Sequence, residues 1–188
     1  MAFRDLLAGA IEINEEISVN HGMLNHSKSI NHEAVVFNNI TEAEGMRSAI
    51  NVLARDRLCS IFEISPGELI DILAWAMENP TDPEVVSKEN SPVFENKQEI
   101  TDLTKIPIPW HYPEDRGRYQ SASVIIAEYD GIRNMSFHRQ FLRDANHCVS
   151  RFVPRHLRTM TDKARANGDE INIAVVNGPD ATVLLAAA

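Results

Sequence analysis

The sequence predicts an α+β protein, with its helical and β signals unevenly divided between two halves. Three observations carry the prediction. The signal Ser65-Pro66-Gly67-Glu68 opens an apolar helical stripe in the first half; β-type runs cluster between Ser121 and Phe152 in the second; a proline-rich, charged stretch lies between them.

Taken in order, Phe3, Leu6, Leu7, Ala10 and Ile11 recur at helical spacing, which predicts an amphipathic helix over the first dozen residues. The chain then turns polar and irregular from Asn20 to His32. Ala34-Val35-Val36-Phe37, bounded by Asn38 and Asn39, reads as a strand. Residues 46–54 fit strand or helix, and Arg55 to Ile64 suits a short helix. After the start signal at Ser65, Leu69, Ile70, Leu73, Ala74 and Met77 share one helical face until Asn79-Pro80 stops it. Pro80, Pro83 and Pro92, set among charges, mark an exposed linker and a domain boundary near residue 98.

In the second half, Ile106-Pro107-Ile108-Pro109-Trp110 must be extended, because alternate prolines remove backbone donors and fix φ. Ser121–Tyr129, Asn134–Phe141 and Ala145–Phe152 read as β segments, the first turn being Asp130-Gly131, and suggest a meander or barrel. Pro154 opens a basic helix that Asn167-Gly168 closes, and Ile171 to Val176 reads as a strand. Thr182 to Ala188 begins an apolar helix and stops short of the usual length. The expectation is a domain incomplete at the carboxyl end, or one finished by another polypeptide.

Bulk properties narrow the function. A formal charge of −9 opposes phosphate backbones and anionic lipid, so no nucleic-acid partner is expected. No apolar run approaches the roughly 20 residues of a membrane span, and Arg4-Asp5 precedes only a short apolar stretch, unlike a signal peptide. Cys59 and Cys148 match neither a disulfide framework nor a metal-ligand spacing. A reducing cytoplasm is expected.

The densest polar cluster is Arg133-Asn134-Met135-Ser136-Phe137-His138-Arg139. Strand alternation puts Asn134, Ser136 and His138 on one face and Met135, Phe137 and Arg139 on the other. This is either a half-buried strand with charged ends or one whose Asn134 and Arg139 reach an anionic ligand. Arg155-His156, at a helix start, is either part of a solvated basic face or a phosphate and metal site. His21, His26 and His32 have no ligand-like spacing, and no G-x-G-x-x-G or P-loop supports a Rossmann nucleotide site.

Several stretches resemble the UbiD-like decarboxylases, especially their archaeal branch: Pro107-Ile108-Pro109-Trp110-His111, Gly117-Arg118-Tyr119, Arg133 through Arg139, Val153-Pro154-Arg155-His156-Leu157, and Ala174 through Ala188. The resemblance implies a small amino-terminal α/β domain over 1–98 and part of a split β-barrel flavin-binding domain over 99–188. Its cofactors would be prenylated flavin mononucleotide and Mn2+ (or Mg2+), with K+ a further ion. It implies metal binding by Asn134 and His156, and a cofactor surface formed by Asn134, Met135, Ser136, Phe137, His138, Arg139, Arg155 and His156. Arg139 would be the catalytic group, meeting the substrate carboxylate through paired charge-assisted hydrogen bonds.

The activity implied is non-oxidative decarboxylation of an α,β-unsaturated or aromatic carboxylic acid, anhydromevalonate phosphate being the archaeal candidate, in a homo-oligomer or with a missing carboxyl-terminal half. The family's proton-donating glutamates and its metal-site glutamate fall beyond Ala188, which leaves a non-catalytic flavin-binding or assembly module as the alternative. The chain departs from the family at Ala181, where a proline is usual.

Overall fold

The computed structural model describes residues 2–27, 32–97 and 102–188. The predicted boundary between 98 and 99 lies outside them, as does part of the irregular Asn20–His32 stretch.

The amino-terminal helix expected from apolar spacing is instead a single 3-10 stretch, Phe3–Leu7, followed by strand β1, Ile11–Ile17. Gly9, at φ +65°, turns the chain there, and the apolar residues beyond it alternate as Ile11 and Ile13. β1 pairs in parallel with β2, Val35–Ile40, and β2 pairs antiparallel with β3, Ser48–Ile50. A short helix α1, Gly22–Ser27, lies in the stretch expected to be irregular. Ile17, Val19, Met23, Val35 and Phe37 form the core of this layer, with Phe37 fully buried.

Helix α2, Arg55–Phe62, ends on Glu63 in the left-handed region, and α3, Glu68–Glu78, follows. The Glu68 carboxylate accepts from the Ser65 N–H at 2.8 Å and hydroxyl at 2.7 Å, the reach-back half of the predicted capping signal. Of the predicted apolar face, only Leu69 is buried, and Ile70 and Met77 are exposed. Residues 79–97 carry two short 3-10 turns on an exposed path, as the prolines and charges predict.

The second half holds β4 (Tyr119–Gln120), β5 (Val124–Tyr129), β6 (Ile132–Phe137), β7 (Gln140–Leu142), β8 (Cys148–Ser150), α4 (His156–Asn167), β9 (Ile173–Val176) and α5 (Ala181–Ala186). These strands make two antiparallel sheets, β4-β7-β8 and β6-β5-β9, rather than a simple meander. The Asp130-Gly131 turn joins β5 to β6 with φ of 54° and 72°, the two left-handed residues of a type I′ hairpin. The single segment predicted over Asn134–Phe141 is two strands in different sheets, because the chain crosses between them at His138-Arg139.

Strand β5 is central and buried on both faces, which is why it reads as continuous Val-Ile-Ile-Ala. Val124 packs with Leu6, Leu58, Ala181 and Leu184, while Ile125 and Ala127 pack against Leu157 and Met160 of α4. Amides stitch the sheets together: the buried Gln140 donates to Ser123 at 2.8 Å, and Asn177 donates to the buried Gln120 at 3.0 Å. Arg118 donates to the carbonyls of Thr104, Ile106 and Ile108, satisfying acceptors along the proline-interrupted segment that no strand pairs. Ala181, the departure from the family pattern, is the first residue of α5, a position that suits proline or alanine. Among the described residues, no helix is long and apolar enough to cross a membrane.

Candidate functional site

Strand β6 is an edge strand, and a cavity of about 750 Å3 wraps around it. Register decides what faces what. Ile125 and Ala127 face α4, and their cross-strand partners are Ser136 and Asn134, so those two side chains lie on the α4 side, toward the helix start at His156. Met135 and Phe137 point the opposite way and pack on the cluster that includes α5, whose last residues also line the cavity. All eight residues singled out in the sequence, Asn134, Met135, Ser136, Phe137, His138, Arg139, Arg155 and His156, line this one cavity.

On the α4 side the polar residues form a chain. The Asn134 amide donates to the Ser136 hydroxyl at 3.0 Å, and that hydroxyl lies 3.0 Å from His138 Nε2. The Asn134 side-chain oxygen Oδ1 is left without a partner among the described residues, as is the His156 imidazole. His138 packs edge-on against Phe152 at 4.9 Å, and burial holds its imidazole below the ordinary histidine range. Helix α4 has no side-chain cap, since Arg155 at its N-cap supplies no acceptor, and its first N–H groups are open to an anion.

Arg139 departs from its expected place. Because β6 ends at Phe137, alternation does not carry on to Arg139, and its guanidinium lies 4.5 Å from the Tyr119 ring centroid and 3.7 Å from Asp115. Arg116 and Arg151 also line the cavity; sequence reasoning singled out neither, and β4–β7–β8 pairing brings them in. Among the described residues the wall thus carries four arginines and no carboxylate side chain, a local reversal of the chain's net charge. Among the described residues, no group of three or more His, Cys, Asp or Glu could hold a metal, and His26 pairs with Glu15 at 3.0 Å instead.

An arginine-rich cavity at a sheet edge, beside an uncapped helix, is chemically suited to an anion. The chain belongs to the UbiD family: the 3-octaprenyl-4-hydroxybenzoate carboxy-lyase Rift-related domain matches residues 84–188. It is 33% identical over 154 residues to anhydromevalonate phosphate decarboxylase of Methanosarcina mazei, covering 81% of this chain and 35% of that protein. The corresponding enzyme of Methanothermobacter thermautotrophicus is 29% identical over 184 residues, covering 94% of this chain and 41% of that protein. The chain therefore spans about two fifths of these relatives.

Among solved structures, an evolved dimeric form of the UbiD-class enzyme HmfF from Pelotomaculum thermopropionicum, in complex with prFMN, superposes with a TM-score of 0.87 at 25% identity over 95% of this chain and 44% of that one. Vanillic acid decarboxylase from Sedimentibacter hydroxybenzoicus shares the fold, with a TM-score of 0.87 at 19% identity over 97% of this chain and 44% of that one.

Proposed function

We propose that this chain forms the flavin- and metal-facing part of a UbiD-type carboxy-lyase that removes CO2 from an α,β-unsaturated or aromatic carboxylic acid, anhydromevalonate phosphate being the first candidate. The observation that carries the reading is the meeting of all eight sequence-selected residues on one arginine-rich cavity. Residues 1–98 and 99–188 would be separate domains, the second contributing its two sheets to a split β-barrel. The setting proposed is a cytoplasmic homo-oligomer.

Asn134 and His156 would hold Mn2+ (or Mg2+). Their chemistry fits: an amide oxygen freed by the Ser136 hydrogen bond is a hard donor, and an unpartnered imidazole is a common one. Two donors leave coordination positions for a phosphate oxygen, water and a ligand from outside this chain. Arg155 and the open end of α4 would bind the flavin phosphate, and Met135, Ser136, Phe137 and His138 would line the ring system. K+ enters the proposal through the family resemblance alone. When bound, prenylated FMN supplies a sink for the electron pair released as CO2 leaves. Arg139 would orient the substrate carboxylate through a planar, paired contact while Tyr119 and Asp115 hold the guanidinium in place.

A second reading has an observation behind it. The cavity wall offers no carboxylate to return a proton, which suits a non-catalytic flavin-binding or assembly module as well as it suits an enzyme whose acid comes from elsewhere. Mixing the chain with prenylated flavin, Mn2+ and the polypeptide carrying the family's downstream glutamates separates the two. Restored CO2 release is expected; tight flavin binding without turnover would overturn the enzyme reading. In the restored protein, Arg139→Ala lowers turnover by roughly 10²-fold or more, the scale of a lost charge contact in the transition state, and near-normal decarboxylation would refute its role.

A further inference from the structure

Strands β4 and β7 set two aromatic rings side by side and a guanidinium over each. Tyr119 and Phe141 are register partners with ring centroids 5.3 Å apart. Arg139 lies 4.5 Å from the Tyr119 centroid, and Arg116 lies 5.1 Å from that of Phe141. The loop between Trp110 and Tyr119 is pinned to this platform. The Trp110 indole N–H donates to the Asp115 carbonyl at 3.2 Å, and a Cβ on Gly117 would stand 3.1 Å from the Phe141 ring, so glycine lets the backbone lie flat there. Arg116 is therefore presented on a fixed support.

The two arginines differ in their partners. Arg139 has Asp115 at 3.7 Å, whereas Arg116 makes no ion pair or hydrogen bond among the described residues. Arginines outside the cavity find carboxylates readily in this acidic chain: Arg133 with Glu128 at 2.7 Å, Arg158 with Asp162 at 2.7 Å. A guanidinium held over an aromatic ring on a cavity wall, with no carboxylate to neutralise it, is arranged for an anion from solution.

We infer that Arg116 forms a second anion subsite, beside the carboxylate-reading Arg139, and selects acids that carry another anionic group, phosphate or carboxylate, at their far end. This rests on the proposed decarboxylase reading for the role of Arg139 and deepens it by naming a substrate class. The remote anion contributes binding that is nearly equal in ground and transition states, so Arg116 governs KM more than kcat.

The test uses the flavin- and Mn2+-loaded protein, reconstituted with the downstream polypeptide. Calorimetry measures its affinity for anhydromevalonate phosphate, for the same acid without phosphate, and for the acid with a terminal carboxylate in place of phosphate. The wild type binds at least one of the doubly anionic acids about tenfold or more tighter than the dephosphorylated one. A gap for the phosphate ester alone assigns a phosphorylated substrate, and a gap for both assigns a diacid. Arg116→Gln erases the gap and leaves flavin affinity unchanged; Arg116→Lys, which keeps the charge but loses the planar fork, keeps part of it. The inference is overturned by an absent gap in the wild type, by a gap that survives in Arg116→Gln, or by a loss of flavin affinity in Arg116→Gln equal to the loss for the acid. With unprenylated FMN in place of the prenylated cofactor, binding is read without turnover, so a wild type that releases no CO2 with the prenylated cofactor sinks the decarboxylase reading while the gap still decides the role of Arg116.

Discussion

Asp180→Ala destabilises the wall of the cavity through a helix cap. Burial raises the Asp180 carboxyl, but the hydroxyl of Thr182, donating at 2.5 Å, and the N–H groups of Val183 at 3.1 Å and Thr182 at 2.9 Å outweigh it and hold the group below the usual carboxylate range. Losing an aspartate cap costs about 1 kcal/mol, within a range of about 0.5–2, and the lost charge at the positive end of the helix adds roughly 0.3–1 kcal/mol. For a chain of this size that total, about 1.3–2 kcal/mol, lowers Tm by about 3–8 °C. Helix α5 has only six residues, and its Ala181 and Leu184 are buried in the cluster beneath the cavity, so the fraying reaches Ala186 to Ala188 on the wall.

The sign with pH follows from the lowered carboxyl: its stabilisation is full above the unfolded aspartate pKa and is lost as pH falls through the folded one. Urea unfolding followed by circular dichroism at pH 7 and pH 3 should therefore show a wild-type advantage at pH 7 that shrinks at pH 3, with Asp180→Ser recovering most of it. An unfolding free energy at pH 7 equal to wild type, or a deficit identical at both pH values, would refute the capping argument.

Further outcomes concern the site. Asn134→Ala and His156→Ala each weaken Mn2+ binding by roughly tenfold or more, as displacement by a chelator reads it, if these donors share one ion; unchanged affinity in both removes the proposed metal site. His138 titrates below the ordinary histidine range by NMR, since burial favours its neutral form. Its contribution to stability is present above the unfolded histidine pKa and disappears as pH falls through the folded value. A His138 resonance with a raised pKa contradicts the described packing against Phe152.

What was legible in the sequence was local. Ser65 with Glu68, the Asp130-Gly131 turn and the Gly168 stop act within a few residues; the turn and the stop lie where the sequence placed them, and Ser65 meets Glu68, although the helix starts at Glu68 with Gly67 rather than Ser65 at its N-cap. The amino-terminal strand was not legible, because Phe3, Leu6, Leu7, Ala10 and Ile11 satisfy a helical period while β1 owes its existence to a partner about 24 residues away. Strand alternation placed Asn134 with Ser136 correctly and misplaced Arg139, since nothing in the local sequence announces a change of sheet at His138. Arg116, Asp115 and Tyr119 acquire meaning only through the β4–β7 pairing. The joint placement of Asn134 and His156 was implied by family resemblance; its physical cause is a register, Ile125 opposite Ser136, that no residue spacing reveals.

The hairpin that carries the site also gives it a backbone polarity. In a two-residue hairpin the closing pair, here Tyr129 and Ile132, exchanges both hydrogen bonds, and every second pair after it does the same. The amides of Ile132, Asn134 and Ser136 are thus spent on β5, while those of Arg133, Met135 and Phe137 project from the open edge, the last two within the stretch that lines the cavity. Hydrogen exchange along this strand should alternate fast and slow with a period of two, and a ligand seated in the cavity would slow only the fast set. Six consecutive amides would then report, residue by residue, whether the sheet edge itself is a binding surface.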